Sequence, residues 1–251
     1  MPDLLARYEL KYLIDEGVAA GIRDVVKSYL EPDPYGESGA YWVNSLYLDT
    51  ENWKLAQQTI DGVKNRFKLR MRCYTFDDSP VFCENKARVG TTIVKTRALC
   101  RRADAETIAM NAPPADGRVE AAKPHHQDDL DRFRNLVDMI DARPRLWVRY
   151  HREAWVSPFG DGARLTFDRR LQCLVPSEPV FLPKMDWFHP IGLGPKPTIL
   201  EMKFNGASPH WMRNLVQWFH LRRLSVAKYV RGAEEVGNMP FNGTVERGSR
   251  L

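Results

Sequence analysis

The feature of the chain that most constrains its fold is the alternation of charged and apolar residues within short segments. In "RYELKYLI" (7–14), the charged residues Arg7, Glu9 and Lys11 alternate with two tyrosines and a leucine. Because side chains of a β-strand point alternately to opposite faces, this segment is predicted to be a strand with one charged and one apolar face. The question is whether that charged face meets solvent or lines an interior.

The same alternation recurs along the chain, separated by turn residues and by segments of helical spacing. Further strands are predicted at 41–50, 64–74, 80–88, 91–101, 145–156, 163–175 and 198–204. Helices are predicted at 15–30, 51–62, 127–142, 209–221 and 225–236. This many strands favour a closed or nearly closed sheet, because closure removes exposed edges. The predicted fold is α+β: an antiparallel β-barrel of about eight strands, with helices packed outside it and at its ends.

Length and composition indicate an ordinary globular protein. The chain has 251 residues, of which 43% are hydrophobic and 27% are charged, and we expect one domain over 1–237 and a disordered tail over 238–251. The four cysteines form no CxxC pair, which argues against a zinc site or a disulfide framework. The start resembles no signal peptide, and no apolar run approaches the ~18 residues of a membrane span. These features predict a cytoplasmic protein without direct membrane insertion.

One face of the predicted strands is rich in cations. Its charged members are Arg7, Glu9, Lys11, Lys68, Arg70, Arg72, Glu84, Lys86, Arg88, Lys95, Arg97, Arg152, Arg164, Asp168, Glu201 and Lys203. For any one strand, the ordinary explanation is a solvated outer surface. Arg and Lys predominate across all of the strands, however, which favours an interior that holds an anion. The net charge of +5 fits an anionic ligand, and no basic tail or cluster points to nucleic acid.

If these faces converge inside a barrel, their mutual repulsion has to be offset by a polyanion. Arginine binds phosphate oxygens in a bidentate manner, and lysine adds a point charge. The acids on the same face, Glu9, Glu84, Asp168 and Glu201, could hold a divalent cation through oxygen ligands. A metal that bridges phosphate oxygens is what phosphoryl transfer requires.

A series of short motifs now points to a family. They are "ELK" (9–11), "KLRMR" (68–72), "ENK" (84–86), "YHREAW" (150–155), "RLTFD" (164–168), "LEMKF" (200–204) and "AKYVRG" (227–232). In this order and spacing, they resemble the VTC domain, the polyphosphate-polymerase branch of the triphosphate tunnel metalloenzymes (CYTH-like proteins). The resemblance covers about 7–232, nearly the whole chain.

The resemblance implies a barrel that forms a basic tunnel, in which the γ-phosphoryl group of ATP is transferred to polyphosphate with Mn²⁺ or Mg²⁺. Carried over by motif, the phosphate ligands are Lys11, Arg70, Arg72, Lys86, Arg152, Arg164 and Lys228. Those expected to act in the transfer itself are Lys11, Arg70, Arg72, Lys86 and Lys228. The strand faces add Lys68 and Lys203 as phosphate-binding residues. Glu201 matches the family's metal-binding glutamate, and Glu9 matches the second acid of the superfamily's ExExK signature.

The sequence departs from the motifs of this family and superfamily at several positions, and these differences bear on which activity is expected. Arg7 stands where the superfamily signature has its first acid, which favours a polymerase over a two-metal triphosphatase. "LSVAKYV" differs from the family's shorter Ser-Lys-Tyr, so Lys228 aligns while the role of Ser225 is open. The sequence has neither an SPX-type regulatory domain nor a membrane segment, so coupling to a membrane would need a separate partner protein.

Three functions remain in play. The first is a polyphosphate polymerase that uses ATP and polyphosphate. The second is a tripolyphosphatase or nucleoside triphosphatase on the same tunnel. The third is a non-catalytic module that binds polyphosphate or an inositol-phosphate-like anion. A nucleic-acid binder is the weakest option, because the cations alternate with apolar residues inside strands.

Overall fold

The computed structural model describes residues 7–36, 38–90, 92–114, 119–224 and 226–237. Its strands are β1 (Arg7–Ile14), β2 (Glu31–Pro32), β3 (Ala40–Asp49), β4 (Arg66–Cys73), β5 (Val81–Val89), β6 (Thr92–Cys100), β7 (Arg143–Val156), β8 (Arg164–Leu174), β9 (His189–Pro190) and β10 (Thr198–Asn205). Its α-helices are α1 (Glu16–Val26), α2 (Lys54–Ile60), α3 (Arg102–Ala109), α4 (Gln127–Met139), α5 (His210–Trp218) and α6 (Lys228–Glu235). The tail predicted to be disordered, 238–251, and Ser225 lie outside the described residues.

Eight of the strands form one antiparallel sheet. They lie in the order β1-β10-β8-β7-β3-β4-β5-β6, with β2 paired to β7 and β9 paired to β8. The sheet curls into a half-barrel, and Lys86 of β5 reaches Glu9 of the far edge strand β1 at 3.4 Å. The prediction of an α+β protein with an antiparallel sheet of about eight strands is confirmed.

The register of the sheet places the charged alternation on the concave face. Lys11 lies opposite Glu201, Arg152 opposite Asp168, and Arg70 opposite Glu84. Directly opposed residues of paired strands point to the same side of a sheet, so these residues share one face. Arg149, three residues before Arg152 on the same strand, lies on the other face, opposite Asn44.

Apolar residues of the convex face form two cores beneath helices. Behind β4, β5 and β6, the side chains of Met71, Cys83 and Phe133 belong to a core with α3 and α4. Behind β1, β10 and β8, a second core includes Tyr12 and Met202 together with α1 and α5. Burial of such apolar faces supplies the main stabilisation of a sheet packed under helices. The four cysteines are buried and free.

A third core lies on the concave face, where α2 and α6 cover one part of it. It contains Tyr47, Val148 and Ile199 from the strands and Tyr229 from α6. Gly232 permits this approach, because a Cβ at that position would lie 2.8 Å from Leu146 Cδ2. The close packing places the first residue of α6, Lys228, at the boundary between the apolar and charged parts of the interior.

Two aspartates satisfy backbone N–H groups at the starts of α1 and α2. Asp15 accepts a hydrogen bond from the backbone N–H of Val18 and caps α1. Asp49 contributes to the start of α2, since its carboxylate accepts from the N–H groups of Leu55 and Ala56 in the first turn. Among the described residues, no helix is both long enough and apolar enough to cross a membrane.

Candidate functional site

The charged part of the concave face has two sides with different charge balance. We call the side formed by β1, β10, β8, β7 and α6 the balanced wall; its charged residues include Glu9, Lys11, Arg152, Arg164, Asp168, Glu201, Lys203 and Lys228. We call the side formed by β4, β5 and β6 the basic wall; its charged residues are Lys68, Arg70, Arg72, Glu84, Lys86, Lys95 and Arg97. All of the site residues predicted from the sequence lie on one of these two walls.

Glu201 is the centre of the balanced wall. Its carboxylate lies 2.8 Å from Lys228 Nζ, 3.1 Å from Lys203 Nζ, 3.5 Å from Arg152 Nη2 and 3.7 Å from Lys11 Nζ. Burial acts to raise the pKa of Glu201, but the charges of Lys228 and Lys203 outweigh it and hold that pKa well below its usual range. Glu201 is therefore an ionised carboxylate surrounded by cations.

Asp168 contacts two of the cations that also surround Glu201. It accepts hydrogen bonds from Arg152 Nε and Nη2, both at 2.7 Å, and its Oδ2 lies 2.6 Å from Lys228 Nζ. Asp168 and Lys228 are almost fully buried. Burial opposes the charge on Lys228, yet Asp168 and Glu201 raise its pKa above the usual range. These contacts hold Arg152 and Lys228 in fixed positions at the end of the charged interior.

Glu9 joins the balanced wall to the basic wall. Its Oε1 lies 2.7 Å from Lys11 Nζ, and its Oε2 lies 3.4 Å from Lys86 Nζ. Burial acts to raise the pKa of Glu9, but Lys203 and Lys11 lower it to about 2. The contact with Lys86 crosses the opening between the two ends of the sheet, so Glu9 helps to set the width of the interior.

The basic wall has a single carboxylate, Glu84, among many cations. Its Oε2 lies 2.6 Å from Arg70 Nε and 3.7 Å from Arg72 Nε, and its Oε1 lies 2.6 Å from Lys95 Nζ and 3.3 Å from Arg97 Nε. Burial acts to raise the pKa of Glu84, but Arg70, Arg72 and Lys95 hold it far below its usual range. One carboxylate is thus the shared ion-pair partner of four cations.

Three lysines form a row beside this cluster. Lys68 lies opposite Lys86, and Lys86 lies opposite Lys95. Like charges directly opposite one another destabilise a sheet. Burial lowers the pKa of Lys68 to about 8, with Lys11 and Lys86 adding to the shift, and burial lowers that of Lys95 to about 8 against the pull of Glu84. Lys68 makes no ion pair within the described part of the chain, so this row has an uncompensated charge.

Arg164 lies at a different edge of the interior, away from both carboxylate clusters. Its Nη2 lies 2.6 Å from Asp33 Oδ2 and donates to the hydroxyl of Tyr41 at 3.0 Å. Tyr41 also packs edge-on against Tyr35 and Tyr74. Arg164 is therefore held by Asp33, an acid outside the two walls whose role the sequence pattern does not predict.

Several residues next to the site are not among the site residues that the sequence predicts. Lys95 and Arg97 were assigned to the charged face, but the family motifs do not include them, and the strand alternation is the signal that finds them. Tyr47 accepts a hydrogen bond from Arg70 Nη1 at 3.5 Å, and its ring stacks on Tyr229 at 4.3 Å. Tyr229 in turn donates to Asp49 at 2.7 Å, which anchors α6. No periodicity in the sequence reports these long-range contacts.

The predicted metal ligands, Glu9 and Glu201, lie on neighbouring strands and share a cation. Lys11 Nζ lies between them, 2.7 Å from Glu9 and 3.7 Å from Glu201. Carboxylate oxygens suit Mg²⁺ or Mn²⁺, and Mg²⁺ is often held by one or two carboxylates together with substrate phosphates. The described residues contain no group of three or more His, Cys, Asp or Glu side chains that could hold a metal. The two glutamates therefore fit such an ion only when phosphate oxygens and water complete its ligand set.

Comparisons with known proteins add a family to this geometry. The sequence model of the VTC domain matches residues 6–236. Among solved structures, the chain is similar to the PH1819 protein from Pyrococcus horikoshii OT3, with 12% sequence identity and a TM-score of 0.47, over 92% of this chain and 99% of that chain. A search of curated proteins gave no match. The family match spans every strand that contributes to the two walls.

Proposed function

The chain belongs to the VTC domain family, and from that premise we propose that it is a metal-dependent phosphotransferase that moves the γ-phosphoryl group of ATP onto a polyphosphate chain. The observation that carries the proposal is the basic wall, where cations from three strands face a single acid. A surface of this kind is stabilised by a bound polyanion, because the anion removes the repulsion among the cations. ATP as the donor fits the cytoplasmic location expected from the sequence.

The chain's own residues would bind phosphates and offset their charge. Phosphoryl transfer passes through a loose transition state, so positioning and charge neutralisation supply most of the catalysis. Arg70 and Arg72 present guanidinium groups from the basic wall, and Lys228 presents an ammonium group held by Asp168 and Glu201. The acceptor is the ionised end of a phosphate chain, so no protein base has to remove a proton. Glu201 and Glu9 would hold Mn²⁺ or Mg²⁺, which would supply positive charge to offset that of the phosphates.

Incubation of the purified protein with ATP and Mn²⁺ tests this proposal. We expect ADP and long polyphosphate, detected on a gel, and no polyphosphate from a matched reaction without metal. Production of ADP and free phosphate alone would identify a tripolyphosphatase or nucleoside triphosphatase instead. An Arg149→Ala variant is a suitable control, because Arg149 lies on the convex face against Trp42; its activity should equal that of the parent protein.

The metal assignment has its own test. We expect Glu201→Gln to remove both the activity and its dependence on Mn²⁺ concentration, because the amide cannot replace a carboxylate ligand. A Glu201→Gln protein that still responds normally to Mn²⁺ would show that Glu201 is not a metal ligand.

A non-catalytic polyanion-binding module is the second candidate. It is favoured by the four cations around Glu201, since a carboxylate neutralised in this way leaves less charge for a metal. Tight binding of polyphosphate without consumption of ATP, over a range of divalent metals, would support this candidate against the transferase.

A further inference from the structure

Glu84 differs from the acids of the balanced wall because its cationic partners contact no second carboxylate among the described residues. Arg70, Arg72, Lys95 and Arg97 each lie within 4 Å of its carboxylate, at 2.6, 3.7, 2.6 and 3.3 Å. None of these four cations has a second acidic partner in the part of the chain that the structure describes. On the balanced wall, by contrast, Lys11, Arg152 and Lys228 each contact two carboxylates.

The arrangement around Glu84 is that of a bound anion. Each carboxylate oxygen meets two cations, and the four cations come from β4 and β6, the two strands on either side of the strand that carries Glu84. The Glu84 residue is only 1% exposed, so its charge is screened little by water. A phosphoryl group that contacted the same four cations would have to take the place of this carboxylate.

We propose that the Glu84 carboxylate is an exchangeable counter-anion: it fills a phosphate position on the basic wall and gives way to the phosphate chain when that chain binds. The proposal rests on the proposed function only for the identity of the ligand as a phosphate chain. A charged channel has to bind its cargo firmly enough for entry and weakly enough for exit. Glu84 would limit the affinity for the phosphate chain by competing with it for the cations. Its ion pairs with the same cations would form again when the chain dissociates.

The competing role for Glu84 is that of a scaffold. In that role, its carboxylate would hold the four cations in the geometry that phosphate needs, and its loss would weaken binding. The counter-anion role makes the opposite prediction. Removing the charge while keeping the shape, as in Glu84→Gln, should tighten the binding of a phosphate chain because the internal competitor is gone.

The decisive experiment is calorimetric titration of tripolyphosphate into the Glu84→Gln protein and the parent protein, without ATP. We expect the variant to bind at least about tenfold more tightly. Glu153→Gln is the matched control, since Glu153 accepts from Arg23 and Arg169 on the convex face, and its affinity should be unchanged. Equal or weaker binding by Glu84→Gln would overturn the proposal.

A second variant covers the case in which Glu84→Gln fails to fold, because four cations are then left without an acid. Glu84→Asp keeps the charge but withdraws it by one methylene group. We expect it to bind tripolyphosphate about threefold more tightly, and equal or weaker binding would again overturn the proposal.

The outcomes separate this proposal from the proposed function. A parent protein that binds tripolyphosphate but makes no polyphosphate would refute the transferase and leave the role of Glu84 open to the same titration. A transferase whose Glu84→Gln variant binds more weakly would refute the counter-anion alone. In an active enzyme, we expect KM and kcat of Glu84→Gln to fall together, because slower release of the chain accompanies its tighter binding. A parent protein that does not bind tripolyphosphate would refute both.

Discussion

On the balanced wall, three carboxylates share their cations in a network, whereas on the basic wall one carboxylate serves four cations. Asp168 and Glu201 both contact Lys228, and Lys11 contacts both Glu9 and Glu201. Glu84 is the only acid that the basic wall presents among the described residues. Of the residues named above, the balanced wall has five cations against three carboxylates, whereas the basic wall has six cations against one carboxylate and so the larger excess of positive charge.

Lys228 on the balanced wall and Lys68 and Lys95 on the basic wall have pKa values that are shifted in opposite directions. The pKa of Lys228 is raised above its usual range despite burial, because two carboxylates outweigh the loss of water. The pKa values of Lys68 and Lys95 fall to about 8, because burial is opposed by too little negative charge. Lys228 on the balanced wall is thus stabilised as a cation, whereas Lys68 and Lys95 on the basic wall are destabilised as cations. A phosphate chain would correct the imbalance on the basic wall.

The largest effect that we expect is on turnover. Arg70→Ala and Arg72→Ala should each reduce ATP turnover by about 10³-fold or more, as loss of an arginine that stabilises a phosphoryl transition state does. Rates of ADP release, with the fold checked by circular dichroism, measure this. The convex-face variant Arg149→Ala is the control. If both variants of the basic wall retained activity, this wall would not be the site of transfer.

The two walls should respond with opposite sign when a lysine is replaced. We expect Lys228→Met to lower the free energy of unfolding by about 3 kcal/mol, since it removes the buried cation that Asp168 and Glu201 share. Lys68→Met should raise the free energy of unfolding of the ligand-free protein by about 1–2 kcal/mol, since it removes a partly buried cation that makes no ion pair among the described residues. Urea unfolding of the two variants measures both changes. A destabilised Lys68→Met protein would contradict the charge imbalance of the basic wall.

The low pKa values on the basic wall predict a pH dependence. Between pH 8 and the usual lysine value of about 10.4, the folded protein binds fewer protons than the unfolded chain, so the stability contributed by Lys68 and Lys95 increases with pH. Binding of polyphosphate needs these lysines charged, so its affinity should fall above pH 8, by up to about tenfold per pH unit for each lysine.

Calorimetry in buffers of different ionisation enthalpy tests this linkage. Binding of long-chain polyphosphate near pH 8.5 should take up protons, and the uptake should decrease in Lys68→Gln and in Lys95→Gln. Proton uptake that was the same in both variants as in the parent protein would assign the linkage to other groups.

The smallest effect that we expect concerns Arg164. Because Asp33 already neutralises it, Arg164→Gln should weaken binding of tripolyphosphate only about twofold to threefold, as for a partly exposed ion pair. Asp33→Asn should strengthen binding by a similar factor. A loss of affinity as large as that of Arg70→Ala would move the phosphate site toward this edge of the sheet.

The strand alternation was enough to predict which residues share the inner face. Period two separates Arg152 from Arg149 and groups Lys68, Arg70 and Arg72, because a strand gives no other choice. The pairing of these residues with acids could not be predicted. The contact of Lys86 with Glu9 joins residues 77 positions apart and depends on the curvature of the whole sheet. The four cations around Glu84 likewise depend on the register of three strands, which one-dimensional periodicity leaves open.

The position of α6 over the concave face could not be predicted from the sequence either. Helical spacing predicts a helix near 225–236, but its seat over the concave face depends on Gly232 against Leu146 and on Tyr229 bonded to Asp49. Arg7 could be placed by alternation alone. It lies opposite Asn205 on the same face as Glu9, which lies opposite Lys203. Its effect on the choice between polymerase and hydrolase stays a prediction.

A crystal structure of the protein with tripolyphosphate tests the central claim most directly. The account predicts that the phosphate chain lies inside the half-barrel against the basic wall, in contact with Arg70, Arg72 and Lys95, and that the Glu84 carboxylate has moved away from at least one of them. Tripolyphosphate bound to the convex face, with Glu84 still held by its four cations, would contradict it.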